Sequence, residues 1–305
     1  MIDVLIIGGG VAGMSAALYA LRSGKKVLIL EKEAFGGQIA TSPKVENYPS
    51  IKEISGEELA ANLFEQITSL GVDFDVDNIH NIKKEDDIFY IEGEFGKYEA
   101  KSVILATGVK HRKINIADED KLIGNGLSYC AVCDGAFFKG QDVAIIGDAN
   151  TALQYALLLS NTCNKVYLCM LFDRFFADDI LVKRVKEREN IEIIKNISLK
   201  KFIHDETLKG LEFINTQTEE KLTINVNGCF IAIGQVPSNE DFKNVVELDK
   251  NGYIITNEQM ETMTPGLFAI GDCRVKKVRQ VTTACSDGAI SAIMAVNYLD
   301  RKENN

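Results

Sequence analysis

An apolar, β-branched run, Asp3–Ile7, opens the chain and leads directly into Gly8-Gly9-Gly10-Val11-Ala12-Gly13. Helix-like spacing follows from Met14 to Arg22, Ser23-Gly24 ends it, and Lys26–Glu31 reads as a second strand. A unit of the same form recurs near the middle. It consists of strand Asp142–Ile146, turn Gly147–Asn150, helix Thr151–Ser160 and strand Lys165–Met170. Further strands are predicted at Ser102–Leu105, Gly228–Ile233 and Leu267–Ile270. A closing helix is expected over Ser286–Leu299, with a polar tail at Asp300–Asn305. Unbroken apolar strands suit a parallel sheet covered on both faces. The pattern predicts an α/β chain with two Rossmann-like (three-layer ββα) nucleotide-binding-type domains. The second is expected to be inserted into the first. Residues 1–112 with 240–305 would form one domain and 113–239 the other, with crossings near Lys110–Lys113 and Pro237–Asn239.

Composition narrows the function classes. The net charge of −10 disfavours a nucleic-acid binder, which carries a basic surplus. No apolar run approaches the roughly 20 residues of a membrane span. The start, Met1-Ile2-Asp3-Val4, lacks the positive segment of a secretion signal, so a cytoplasmic protein without membrane attachment is expected. Seven cysteines, an odd number with one close pair, argue against a secreted disulfide scaffold. That pair is Cys130-Ala131-Val132-Cys133.

Gly8, Gly10 and Gly13 match G-x-G-x-x-G after a strand and before a helix, with Glu31 at the end of the next strand. Gly8 permits a tight turn, Gly10 lets backbone approach a pyrophosphate, and Gly13 lets helix and strand pack closely. The helix N-terminus favours phosphate, and Glu31 can bind a ribose hydroxyl. The C-x-x-C pair suits disulfide chemistry. A zinc site would need a second pair of soft ligands. Cys163 and Cys169 are too far apart to supply one, and His80, His111 and His204 form no cluster, so no metal is expected.

Several further motifs accompany these. They are Gly36-Gly37-Gln38, Glu46-Asn47-Tyr48-Pro49, Ala106-Thr107-Gly108, Cys130 through Gly135, Gly271-Asp272, and Arg279 through Ala284. Together and in this order the chain resembles the low-molecular-weight thioredoxin reductase family over nearly its whole length. The resemblance implies FAD at the first glycine turn. Contacts would come from Gly8, Gly10, Val11, Ala12, Gly13, Glu31, Lys32, Gly37, Gln38, Asn47, Ala106, Thr107 and Gly108. Gly271, Asp272, Arg279, Gln280 and Val281 would complete them. It implies that Cys133 faces the flavin, that Cys130 attacks the disulfide of thioredoxin, and that Asp134 serves as acid or base. It further implies a homodimer and a rotation of one domain against the other between half-reactions.

One part of the family pattern is missing. NADPH-dependent members read G-x-G-x-x-A/G at the second turn, where this chain has Gly147-Asp148-Ala149-Asn150-Thr151-Ala152. Ala149 replaces the glycine beside the pyrophosphate, and Asp148 adds a like charge near the phosphates. The family's H-R-R-D-x-F-R-A stretch becomes Met170-Leu171-Phe172-Asp173-Arg174-Phe175-Phe176-Ala177. All the phosphate-binding basic positions are apolar, so NADPH is not expected to bind well. The resemblance thereby narrows to the ferredoxin-dependent flavin thioredoxin reductases. An acidic ferredoxin would dock on basic residues: Arg22, Lys25 and Lys26; Lys110 to Lys113; or Lys276, Lys277 and Arg279. The alternatives are an NAD(P)H-dependent reductase with an altered site, a relative with a second flavin or another dithiol target, and a non-catalytic flavin redox sensor.

Overall fold

The computed structural model describes residues 1–42 and 45–303, with only the backbone of Thr41 and Glu303. The chain forms two compact units, Met1–Lys110 with Val236–Asn305, and His111–Gln235. The structure thus divides two to four residues before the limits of 112 and 239 expected from the sequence. The reason lies in the pairing of the crossings: Val109–His111 and Gln235–Pro237 form a two-stranded ribbon. Asn239, expected in the inserted domain, is fully buried in the first unit, where its side-chain amide donates to Gly252 and Cys273 carbonyls.

In the first unit the parallel strands lie in the order Asp73–Val76, Val27–Glu31, Ile2–Ile7, Lys97–Leu105 and Leu267–Ala269. Val4, Leu5 and Ile6 are fully buried, as strands covered on both faces must be. An antiparallel pair, Ile79–Glu85 and Ile88–Gly93, extends the N-terminal half of Lys97–Leu105. Helix Val11–Arg22 packs on helix Val281–Glu303. Small residues make that crossing close. A Cβ at Gly288 would lie 2.5 Å from the Ala12 carbonyl oxygen and 2.9 Å from the Ala16 nitrogen. The closing helix begins before and ends beyond the expected Ser286–Leu299. Asp300, expected in a polar tail, is helical and pairs with Lys25 at 2.5 Å. Asn304 and Asn305 lie outside the described residues.

The second unit repeats the plan. Its parallel strands run Ile191–Ile194, Lys165–Cys169, Asp142–Ile146, Gly228–Ile231 and Leu127–Ser128. An antiparallel sheet of Ile197–His204, Leu208–Asn215 and Lys221–Asn225 packs with it through Phe202, Leu211 and Phe213. The fold is mixed α/β with two Rossmann-like units. Among the described residues, no helix is long and apolar enough to cross a membrane.

Candidate active site

The first glycine turn sits where ligands bind such sheets, beyond the C-terminal ends of the strands. Gly8 has φ +112°, and a side chain there would strike the Ala106 carbonyl. A Cβ at Gly13 would strike the carbonyl of Gly8, so the helix can approach the strand only without one. Gly10 differs: its nearest neighbour to such a Cβ is Gly37 Cα at 4.0 Å. That space is left open by the protein's own atoms, as backbone approach by a phosphate requires. Gly10 bridges to Gly36, so glycine lies on both sides of the opening.

The other predicted FAD residues converge on the same end of this unit. Glu31 is buried and its Oε2 accepts the Gly9 amide at 2.6 Å, while Oε1 accepts the Glu33 amide at 3.0 Å. Each oxygen keeps a lone pair for a ribose hydroxyl. Lys32 is exposed beside it. Val11 and Ala12 are buried in the first turn of the helix. Ala106, Thr107 and Gly108 follow the strand Lys97–Leu105, and Thr107 Oγ1 donates to Asn239 Oδ1. Gln38 donates to the Val109 carbonyl. Asn47 Nδ2 donates to Gln280 Oε1 at 3.2 Å, and Arg279 Nε to the Asp272 carbonyl at 3.3 Å. Val281 starts the closing helix, and Gly271, at φ +70°, lies close to Ala12.

Asp272 Oδ1 is buried without a hydrogen-bond partner among the described residues. Burial raises its proton affinity, against Lys276 and Arg279. Buried oxygens are costly when unpaired, so a hydroxyl donor from a ligand such as the ribityl chain of FAD fits here. The turn that carries Asp272 is anchored from behind by a residue the sequence reading missed. Asp287 accepts from the Gly271 amide at 3.0 Å, Arg274 Nε at 2.9 Å and Lys276 Nζ at 2.9 Å. Lys276 is only 8% exposed, which removes it from the expected docking cations. Lys25, Lys110 and Lys113 are also engaged, with Asp300, Glu33 and Asp120. A signal existed: Asp287 and Ser291 sit four apart on the apolar face of the closing helix, and both are buried.

In the second unit Cys130 and Cys133 form a disulfide, with Cα atoms 5.3 Å apart. Cys130 caps the short helix Ala131–Asp134, and the Cys133 amide donates to Cys130 Sγ at 3.2 Å. Asp134 follows directly; burial raises its proton affinity, and a hydrogen bond from Ser128 opposes the rise. Tyr129, next to Cys130, donates to Glu119 and stacks on His111 at 4.9 Å. Neither the Ser128–Asp134 bond nor the Tyr129–Glu119 bond is legible in the sequence, since only the fold sets these side chains together.

The second turn reproduces the first in backbone but not in side chains. A Cβ at Gly147, φ +151°, would lie 2.5 Å from the Ala232 carbonyl oxygen. Ala149 and Phe176 form the bridge that Gly10 and Gly36 form in the first unit. Met170 is buried in the core, while Leu171, Phe172 and Phe176 are about half exposed. Arg174 stacks over the Phe176 ring at 4.7 Å. Asn150 and Asp178 exchange two hydrogen bonds, 2.8 and 3.1 Å, across the turn. Burial raises Asp148 in proton affinity. No group of three metal-ligating side chains occurs among the described residues.

A nucleotide-type cradle in one unit and a C-x-x-C disulfide with an adjoining half-buried carboxyl in the other define a disulfide oxidoreductase. The family model for pyridine nucleotide-disulphide oxidoreductases matches residues 2–288, and the chain belongs to that family. Within it the chain stands close to the low-molecular-weight thioredoxin reductases. It is 36% identical to the thioredoxin reductase of Bacillus subtilis over 98% of this chain and 95% of that one. It is 38% identical to a 34.2 kDa protein in the rubredoxin operon of Clostridium pasteurianum, over 99% and 98%. The crystal structure of thioredoxin reductase from Streptococcus pyogenes superposes with a TM-score of 0.95 at 37% identity, over 99% of each chain.

Proposed function

We propose that the chain is a flavin-dependent enzyme that reduces thioredoxin through Cys130 and Cys133, with electrons from reduced ferredoxin. The dithiol, the orphaned Asp272 oxygen and the open glycine cradle support the first part. FAD, when bound, supplies a carrier that takes up electrons singly or in pairs. Gly8, Gly10, Gly13 and Glu31 would hold its adenosine pyrophosphate, and Asp272 with Arg279-Gln280-Val281 its ribityl and ring end.

The chain's own chemistry is thiol–disulfide exchange. Cys130 as thiolate attacks one sulfur of the target disulfide, and a mixed disulfide forms as the target S–S bond breaks. The departing sulfur takes a proton from Asp134. Cys133 then attacks Cys130 Sγ, the second target thiol leaves, and the Cys130–Cys133 disulfide re-forms. The target gains two electrons and the dithiol loses two.

One observation carries the choice of donor. The bridge that is Gly10–Gly36 in the first unit is Ala149–Phe176 in the second, flanked by Asp148 and by apolar Leu171 and Phe172. A pyrophosphate there meets methyl and phenyl groups and a carboxylate, and no cation stands at the family's 2′-phosphate positions. The full-length similarity to named thioredoxin reductases favours a second possibility, a pyridine nucleotide as donor. Anaerobic mixing separates them. Reduced ferredoxin should bleach the flavin rapidly and NADPH or NADH slowly, and added thioredoxin should restore the colour. Rapid bleaching by NADPH would exclude the ferredoxin assignment. The resemblance implies a homodimer, which light scattering tests.

A further inference from the structure

Resting on the dithiol function proposed above, we infer that Ser128 is a positioning residue. Its hydroxyl holds the Asp134 carboxyl in register with Cys130 and leaves one oxygen, Oδ1, for proton transfer.

Ser128 ends the strand Leu127–Ser128, which pairs with Gly228–Ile231, so the sheet fixes its backbone. The residue is 5% exposed. Its Oγ lies 2.6 Å from Asp134 Oδ2 and 3.4 Å from the Cys130 carbonyl. A hydroxyl has one proton, and the shorter, charge-assisted contact takes it. A lone pair of the same Oγ then accepts the Cys130 amide at 2.9 Å. One side chain therefore ties the carboxyl to the backbone of the attacking cysteine.

The second carboxyl oxygen is left over. Asp134 Oδ1 is buried and has no partner among the described residues. With Oδ2 engaged, Oδ1 is the atom that carries and releases the proton. Burial and the Ser128 bond act in opposite directions on that proton. Such a balance keeps a carboxyl usable as an acid without locking it protonated.

The step is the first half of the exchange. Cys130 Sγ bonds to a target sulfur, the target S–S bond breaks, and the proton of Asp134 Oδ1 passes to the departing sulfur. Removing the Ser128 hydroxyl withdraws the bond that favours ionised Asp134. The pH limb on which Asp134 loses its proton should move upward by about one unit.

The test uses the full-length flavoprotein, reduced and freed of reductant, in single turnover against two small disulfides. Hydroxyethyl disulfide releases a basic thiolate that needs a proton; dithiobisnitrobenzoate releases a weakly basic one that does not. Ser128→Ala should shift the pH limb with the first and leave the second unchanged. Ser128→Thr should restore the wild-type limb, and the shift should vanish in an Asp134→Asn background. Coincident profiles for wild type and Ser128→Ala, or a shift that persists with Asp134→Asn, would overturn the assignment. Failure of the reduced wild-type protein to release nitrothiolate would instead sink the dithiol function.

Discussion

The amide of Gly9 donates to Glu31 Oε2 at 2.6 Å, joining the first glycine turn to the strand end 22 residues on. The carboxylate also holds the Glu33 amide, so it shapes the turn before any ligand enters. Glu31→Ala leaves the Gly9 amide without its acceptor. Hydrogen bonds to a buried charge contribute roughly 1.5–3 kcal/mol, so about 2 kcal/mol of stability should be lost. Flavin retention through gel filtration should fall in parallel, and Glu31→Gln should recover part of both. Unchanged flavin content in Glu31→Ala would remove the turn from the binding site.

Burial sorts the cysteines into two groups. Cys163, Cys169, Cys229 and Cys273 are buried, and desolvation pushes all four thiols up in pKa. Thiolate is the reactive form, so these four should resist alkylation until the protein unfolds. After mild reduction, mass spectrometry should find label on Cys130 and Cys133 first and on half-buried Cys285 more slowly. Rapid labelling of Cys169 or Cys229 would contradict the packing. Cys130→Ser and Cys133→Ser should each abolish disulfide turnover while the flavin stays bound.

Much of this architecture is written in local pattern. The apolar run before Gly8 and the one before Gly147 specify buried parallel strands, and the glycines between strand and helix specify the turns. The C-x-x-C pair is visible from spacing alone. What escapes local pattern are side-chain contacts that only the folded backbone sets up. Ser128 looks like any strand serine until the fold sets its hydroxyl beside Asp134. Asn239 sits two residues after Pro237 in an apparent linker, yet it is buried in the first unit and makes three hydrogen bonds there. The ends of the closing helix carry no local signal, because Val281–Cys285 lacks apolar periodicity and Asp300–Glu303 is wholly polar.

His111 supplies a pH dependence with a definite sign. Desolvation lowers its pKa from 6.5 to about 4, and its ring stacks on Tyr129. The unfolded chain therefore binds the proton more readily than the native one. This contribution to stability is full above pH 6.5 and is lost as pH falls through about 4. Across that window it amounts to about 3 kcal/mol at most. His111→Phe keeps a ring for stacking and cannot be protonated. Its stability, followed by tyrosine fluorescence because the chain has no tryptophan, should fall less steeply on acidification than the wild type's. Parallel curves would show that His111 does not titrate between the two states.

Asp287 neutralises two half-buried to buried cations, Arg274 and Lys276, with side chains 14% and 8% exposed. Removing one partner of such a group leaves charge without compensation, at about 3–5 kcal/mol. Asp287→Ala should therefore destabilise the protein by that order in urea and loosen the Gly271–Asp272 turn. Adding Lys276→Met removes one stranded charge and should return more than about 1 kcal/mol. If the double variant is no more stable than Asp287→Ala, the ion group does not act as a unit.

The second glycine-type turn allows a gain-of-function test, which is more discriminating than a loss. The backbone there already has the form of the first turn, with Gly147 at φ +151° and the Ala149–Phe176 bridge in place. What differs is the side chains at the bridge and on the following loop. Ala149→Gly clears the approach to the backbone. Leu171→Arg, Phe172→Arg and Phe176→Arg put cations on half-exposed positions, where their burial cost is small. Each charge-assisted phosphate contact worth about 1.4 kcal/mol is a tenfold gain in affinity. The combined variant should bleach its flavin with NADPH at least about tenfold faster than the wild type at subsaturating nucleotide. A wild-type protein already fast with NADPH would show that the alanine and the apolar loop are no barrier. A variant that gains binding without faster bleaching would place the obstacle in how the nicotinamide reaches the flavin.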